Sequence, residues 1–408
     1  MEHTKVKLGD ILTSISETIS REQQTAIFLN TSDISEGKFL HKKSSVVQEL
    51  PGQAKKKIKN GDILFSEIRP KNKRYAVVNV SNPNDYVVST KLMVLRIKAP
   101  SKYYLQYIYQ KLISQKMLHQ INEIAESRSG TFPQITFDAI KNIELNLPSL
   151  EEQKRIADIL TSLDDKIELN NQMNQTLEEI ASLLYKRWFV DFEFPDDKGK
   201  PYKSSGGEMV DSELGMIPKG WEVKKIFEIS NVGIGKTPPR KEQGWFSNSK
   251  GINWFSIKDM GNIRSPYIFH SSERLSKRAI DQFNIKIVPK NTVILSFKLT
   301  IGRVAITTMD SVTNEAIAQF QILNENVTTE YMYLYFKNLN FMNFGSTSSI
   351  ATAINSQIIK SIPVIVPVYT INRNFSNILI RYFKMMKENS IESYKLNKII
   401  ELLLIELI

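Results

Sequence analysis

The stretch LPSLEEQKRIADILTSLDDKIELNNQMNQTLEEIASLLYKRWFVDFEF, from Leu147 to Phe194, decides how this chain folds. Ser149 follows Pro148 and has Glu152 three residues on, the pattern in which a hydroxyl and a carboxylate reciprocally satisfy the first N–H groups of a helix. No Gly or Pro interrupts until Pro195. Ile156, Leu160, Leu163, Ile167, Asn170, Asn174, Leu177, Ala181, Leu184 and Trp188 recur at alternating spacings of four and three, a heptad seam. The pattern predicts one helix over 149–190, and about 40 residues at about 1.5 Å each span about 60 Å, longer than an ordinary domain helix. So narrow a seam suits a partner helix. The competing reading is a long amphipathic helix inside one large domain. Asn170 and Asn174 sit mid-seam, where buried amides cost stability but penalise wrong registers.

The partner comes from an internal repeat. Shifted by 219 residues (359 against 140), IKNIELNLPSL at Ile140–Leu150 lies over IKSIPVIVPVY at Ile359–Tyr369, and Pro148 meets Pro367. The same shift sets Ile156 on Phe375, Leu160 on Leu379, Leu177 on Leu396 and Asn170 on Asn389. SRSGTFPQI at Ser127–Ile135 corresponds to TSSIATAI at Thr347–Ile354, VKLGDI from Val6 to KKIFEI from Lys224, and KNGDIL from Lys59 to KNTVIL from Lys290. The expected fold is α+β: two domains in tandem repeat, 1–147 and 218–366, each followed by a long helix, 148–192 and 367–408. The two helices are expected to pair as an antiparallel coiled coil. The Gly-, Pro- and Ser-rich segment 193–217 reads as a linker.

At 408 residues the chain can bury two cores. It has no cysteine, hence no disulfide framework and no thiolate ligand or nucleophile. With no apolar run near the length of a membrane span, a cytoplasmic protein with no membrane contact is expected. The net charge of +11 invites a polyanion. Between Glu151 and Arg187 acids outnumber bases eight to five, so the positive charge belongs mainly to the flanking domains.

In the first domain strands are expected at 63–65, 75–80, 86–88 and 92–97, and a helix over 103–125. Its bases cluster in connections: Lys42 and Lys43; Lys55, Lys56 and Lys57; then Arg69, Lys71, Lys73 and Arg74. Bases beside a sheet can position a phosphate backbone, and solvated loops are the bland alternative. Arg128 and Gln134, among small polar residues that allow close approach, are the candidates for base contact. In the second domain strands are expected at 252–257, 292–297, 303–307 and 316–322, and a helix near 330–338. GIGKTPPRKEQGWF, from Gly233, offers Lys236, Arg240 and Lys241 as phosphate ligands, and Trp245 as a wedge or a core residue.

Catalytic signatures fail. GIGKT lacks the first glycine of a phosphate loop, having Ser230 there, and Pro238 and Pro239 forbid the helix that should follow. Asn82 to Tyr86 only loosely resembles an amino-methyltransferase motif, and no Gly-rich nucleotide loop precedes it. Pro195, Asp196 and Lys198 mimic a nuclease motif inside the linker. His3, His41, His119 and His270 show no ligand spacing, so no metal and no active site is expected. A cryptic methyltransferase or nuclease is the rival reading, and a purely structural scaffold the other.

LPSLEEQKRIADIL opening the helix, LYKRWFVDFEFP closing it and LGMIPKGWEV opening the second domain resemble the specificity subunit of a type I restriction-modification enzyme. The likeness covers essentially the whole chain. It implies a subunit without catalysis, whose two target-recognition domains each read half of a bipartite double-stranded DNA site while paired helices hold them apart. Those helices would recruit two modification (methyltransferase) subunits and, beyond them, restriction (translocase and nuclease) subunits, with Glu152, Gln153, Ile156 and Trp188 as subunit contacts. S-adenosylmethionine, ATP and Mg are expected on the partners and no cofactor in this chain. The departure lies in the second helix, where EEQKRIADIL is replaced by INRNFSNILI.

Overall fold

The computed structural model describes residues 3–19, 23–128, 133–242, 244–344 and 354–407. The Ser/Thr-rich approach segments, at 129–132 and 345–353, lie outside them. The chain divides into two units, 1–165 with 396–408, and 166–395.

In the first unit, besides a two-residue hairpin of Ile34–Ser35 with Lys38–Phe39, the strands are β1 (Thr4–Lys7), β2 (Leu12–Ile15), β3 (Thr25–Leu29), β4 (Ser44–Val46), β5 (Ala54–Lys56), β6 (Ile63–Ser66), β7 (Tyr75–Val77), β8 (Tyr86–Ser89) and β9 (Leu92–Ile97). Helices α1 (Leu105–Ile113) and α2 (Gln115–Arg128) and a closing strand β10 (Glu144–Leu147) follow. Every residue of β6 and β8 is buried, so these strands read as continuous apolar runs rather than alternating ones. They lie in different sheets: β2-β9-β6-β7 is antiparallel throughout, while β4-β3-β8-β5 contains a parallel pair, β3 with β8. The single helix expected over 103–125 breaks at Ser114. Its Oγ donates to the Lys111 carbonyl at 2.8 Å and accepts from the Met117 N–H, offering the backbone an alternative to helical bonds.

The second unit repeats the plan with β11 (Glu222–Lys225), β12 (Ser230–Ile234), β13 (Phe246–Ser247), β14 (Ile252–Phe255), β15 (Tyr267–Ile268), β16 (Glu273–Leu275), β17 (Val293–Ser296), β18 (Val304–Thr307), β19 (Val312–Thr313), β20 (Ile317–Ile322) and β21 (Pro363–Val366). The sheet β12-β20-β17-β18-β15 contains the counterpart of β2-β9-β6-β7, and β13-β16-β14-β19 again contains one parallel pair, β14 with β19. In each unit the first strand pairs antiparallel with the last strand before a long helix: Val6 with Leu145, and Val223 with Ile365.

The long helices are α3 (Leu150–Tyr185) and α5 (Tyr369–Leu407), and a shorter one, α4 (Thr329–Asn338), precedes α5. Half of the expected capping box forms: the Glu152 N–H reaches Ser149 Oγ at 3.3 Å, but the Glu152 carboxylate turns to Arg155, at 2.6 and 2.8 Å. At its other end α3 widens into a π-turn, Lys186–Val190, and the consecutive Trp188 and Phe189 are both buried there. Phe192 then takes a left-handed φ of 60° and packs edge-on against Trp221, 5.7 Å away. The segment expected as a linker is folded in this region. Phe194 stacks on Tyr202 and Trp221 at 4.6 and 5.1 Å, and Met209–Val210 pairs with Ile217–Pro218.

Within the second unit α3 and α5 run antiparallel. Asn170 Nδ2 donates to Glu392 at 2.8 Å and to Ser393 Oγ at 3.3 Å, and Asn174 Nδ2 donates to Ser390 Oγ at 3.2 Å. Asn389 Nδ2 donates to Asn174 Oδ1 at 3.0 Å, and further along Trp188 meets Phe375 at 5.5 Å. Partner numbers fall on α5 as they rise on α3. The polar centre carries a penalty, since Asn170 Oδ1 is buried with no hydrogen-bond partner among the described residues, which costs about 1–3 kcal/mol. Such a cost is what a register-setting amide in a seam incurs.

Candidate nucleic-acid interface

The β6–β7 connection gathers the bases of the first unit. Ile68 bridges to Gln134, the Arg69 N–H reaches the Pro133 carbonyl at 2.9 Å, and the Ile135 N–H reaches the Glu67 carbonyl at 2.8 Å. The loop is thereby tied to the segment that leads to β10. A 3-10 turn, Pro70–Asn72, is flanked by Arg69 and Lys73 at φ 47° and 54°, left-handed conformations that cost about 1 kcal/mol or more outside glycine. Around this bend Arg69, Lys71, Lys73 and Gln134 are exposed and Arg74 is half-buried. Lys71 and Lys73 keep side-chain exposures of 64% and 55% although each has an acidic neighbour, Glu126 and Glu36. Arg74 leans on Thr31 Oγ1 at 3.4 Å, and Gln134 donates to Glu67 at 3.2 Å.

Elsewhere in this unit the bases separate. Lys42, Lys43 and Lys55 are exposed and Lys57 is half-buried. Lys56 is no phosphate ligand: its ammonium points inward to the carbonyls of Thr90 and Leu92, at 3.1 and 2.7 Å, beside Glu67. Burial pushes it below the ordinary lysine range, and Glu67 offsets part of that. Arg128 ends α2, and its side chain lies outside the described residues.

In the second unit Gly235 explains the GIGKT pattern without a nucleotide. A Cβ there would lie 2.1 Å from the Asn314 carbonyl and 2.2 Å from that of Thr313, so glycine is needed for backbone to pass backbone. Lys236 is exposed and donates to the carbonyls of Phe283 and Asn284 at 3.2 Å, while Lys241 is exposed. Arg240 binds Glu273 through both terminal nitrogens, at 2.6 and 2.9 Å, and this hydrogen bonding holds its guanidinium above the usual arginine range. Trp245 is core rather than wedge. It is 6% exposed, edge-on to Phe283 at 5.4 Å, with its indole N–H on Glu242.

The expected subunit contacts need correction. Ile156 and Trp188 are 3% and 6% exposed, and Trp188 is part of the chain's own aromatic core. Gln153 is 2% exposed: it donates to the Pro148 carbonyl at 3.0 Å and accepts from the Tyr104 N–H at 3.0 Å, pinning α3 to the domain before it. Its repeat position is Asn372, 1% exposed, which donates to the Asn326 carbonyl at 2.7 Å. The donor half of the anchor is kept in the second copy, one methylene shorter, while Asn372 Oδ1 is buried without a hydrogen-bond partner among the described residues. Only Glu152, half-buried and paired with Arg155, still faces outward.

Sequence reasoning missed Glu67 and Glu273, the carboxylates that hold Gln134 and Arg240. They stand 67 and 33 residues from their partners, and no local pattern marks them. Among the described residues no group of His, Asp or Glu could hold a metal ion, and no helix is long and apolar enough to cross a membrane.

A family model described as "Type I restriction modification DNA specificity domain" matches residues 2–179 and 218–399, one match to each half of the repeat. The HindI specificity subunit of Haemophilus influenzae is 34% identical, over 97% of this chain and 96% of its own length. The MjaIX specificity subunit of Methanocaldococcus jannaschii is 28% identical, over 74% and 68%. The crystal structure of a type I restriction-modification S subunit from M. genitalium shares the fold, with a TM-score of 0.56 at 12% identity over 99% and 95% of the two chains. A duplicated α+β unit with basic loops, matched at both copies, belongs to the type I restriction-modification DNA specificity family, as a non-catalytic subunit that recognises DNA sequence.

Proposed function

We propose that residues 1–147 and 218–366 each read one half of a bipartite double-stranded DNA site, and that the α3–α5 pair sets the distance between the halves. The observation that carries this reading is the duplication. Two copies of one fold each present a loop-borne polar group braced by a carboxylate, Gln134 with Glu67 and Arg240 with Glu273, beside exposed bases. Phosphate contacts from Lys71, Lys73 and Lys241 would fix position, and the braced groups would face base edges.

With the seam closed on itself, the outward apolar residues of α3 offer a surface for two modification subunits, and beyond them restriction subunits. Leu169, Ile180 and Leu183 are 50%, 37% and 67% exposed there. S-adenosylmethionine, ATP and Mg would reside on those partners, and the assembly would work on cytoplasmic DNA. The test exchanges residues 1–147 for those of another family member and sequences methylated adenines genome-wide. One half of the methylated sequence should change and the other stay. A change in both halves at once would show that the domains do not read independently.

A further inference from the structure

Arg240 departs from the other exposed bases in how completely it is fixed. Its guanidinium carbon lies 4.1 Å from the centre of the Phe246 ring and 4.9 Å from that of Trp254, so one planar face rests on aromatics. Its Nη1 and Nη2 donate end-on to the two oxygens of Glu273. Glu273 is in turn set by sheet register: it sits on β16 directly opposite Trp254 on β14, and Phe246 on β13 lies opposite Leu275 on the same β16 strand. Despite these ties the side chain is 51% exposed.

The consequence follows from guanidinium geometry. An end-on pair with a carboxylate leaves the other edge, Nε–H with the second Nη2–H, as two parallel donors, and these have no partner among the described residues. The charge is largely offset, because Glu273 holds it directly and Glu315 adds a second carboxylate nearby. Carboxylates beside it disfavour a phosphate. They do not hinder a neutral pair of acceptors, and in the major groove only guanine presents two, O6 and N7, side by side.

Resting on the half-site reading above, we propose that Arg240 is a base reader for a guanine in the half-site recognised by residues 218–366, and that Glu273 is its positioning residue. The phosphate role expected of it from sequence passes to Lys241. The test uses the protein assembled with its modification subunits and duplexes carrying the site defined by methylome sequencing. Each guanine of that half-site is replaced in turn by 7-deazaguanine, which keeps base pairing but removes the N7 acceptor. With the unaltered protein one position should lose about tenfold in affinity. The same substitution should have no further effect on Arg240→Met, which keeps an apolar stem on the aromatics but has no donor, and whose methylation should relax at that base pair alone.

A silent scan overturns the proposal, and needs no variant that might fail to assemble. It is also overturned if Arg240→Met weakens cognate and unrelated DNA equally, the mark of a phosphate contact, or keeps its sensitivity to 7-deazaguanine. A swap of 218–366 that leaves the methylated sequence unchanged overturns the half-site reading and this assignment with it. A swap that changes one half while the scan is silent overturns the assignment alone.

Discussion

Lengthening the helix pair by one heptad on each side tests whether it sets the half-site spacing. The structure supplies the matching points: Asn389 donates to Asn174, and the helices are antiparallel, so residues inserted after Asn174 face residues inserted before Asn389. Seven residues per helix add about 10.5 Å, or about three base pairs at about 3.4 Å each. Leucine at the new seam positions, at about 1.5–3 kcal/mol for each one fully buried, keeps the longer pair stable. Three base pairs also turn the second half-site by about 100°, at roughly 10 to 10.5 base pairs per turn, so methylation at the new spacing should be slower than at the original. The assay is methylome sequencing of cells carrying the extended chain with its partner subunits. Both half-sites should persist, separated by three more base pairs. Inserting two residues instead rotates the following seam by about 200° and should abolish assembly. If the doubly extended protein assembles and methylates only sites of the original spacing, the helices do not set the distance.

Other expectations concern the units themselves. Burial pushes the Tyr107 hydroxyl up to about 12, with Glu152 adding to it, and pushes Tyr333 far above the ordinary 10.0. Folded values raised above unfolded ones mean stability that is full below about pH 10 and lost as the pH rises toward 12. Urea unfolding followed by tyrosinate absorbance should show ionisation and unfolding together in that window; ionisation well before unfolding would contradict it. Arg96→Leu should cost about 3 kcal/mol, because it strands the fully buried Asp62, which Arg96 grips at 2.7 and 2.9 Å. Denaturant titration reads this, and a loss under about 1 kcal/mol would show the pair to be dispensable. Gly235→Ala should lower the melting temperature whether or not nucleotide is present, by about 1–3 kcal/mol of overpacking against Thr313 and Asn314. An unchanged melting temperature would mean that the close backbone approach is absent.

Periodicity made α3 legible, because a seam at spacings of three and four is a geometric property of the helix itself. The repeat made α5 legible, although its own opening, INRNFSNILI, departs from the first copy. What stayed illegible depends on pairs far apart in sequence. Lys56 reads like its neighbours Lys55 and Lys57, yet strand alternation turns it inward to carbonyls 34 and 36 residues away. Gln153 reads as part of a surface phrase of a family, and its burial follows from its bonds to Tyr104 and Pro148, which precede α3. Aromatics in LYKRWFVDFEFP could be counted, but that the next segment folds back on Phe194 follows from contacts with Tyr202 and Trp221.

The amide contact across the helix pair joins residues 219 apart in the chain. At about 5–20 residues per second of synthesis, α3 leaves the ribosome about 10 to 45 seconds before the segment that covers its seam. For that interval a two-sided apolar stripe has no native partner, and the nearest available one is the same helix on a neighbouring nascent chain. A stripe of leucine alone would zip with that copy. Asn170 and Asn174 weaken such a match, since the hydroxyls of Ser390 and Ser393 and the carboxylate of Glu392 that receive their amide hydrogens exist only in the second helix. The polar centre of the seam thus keeps each half waiting for its own chain.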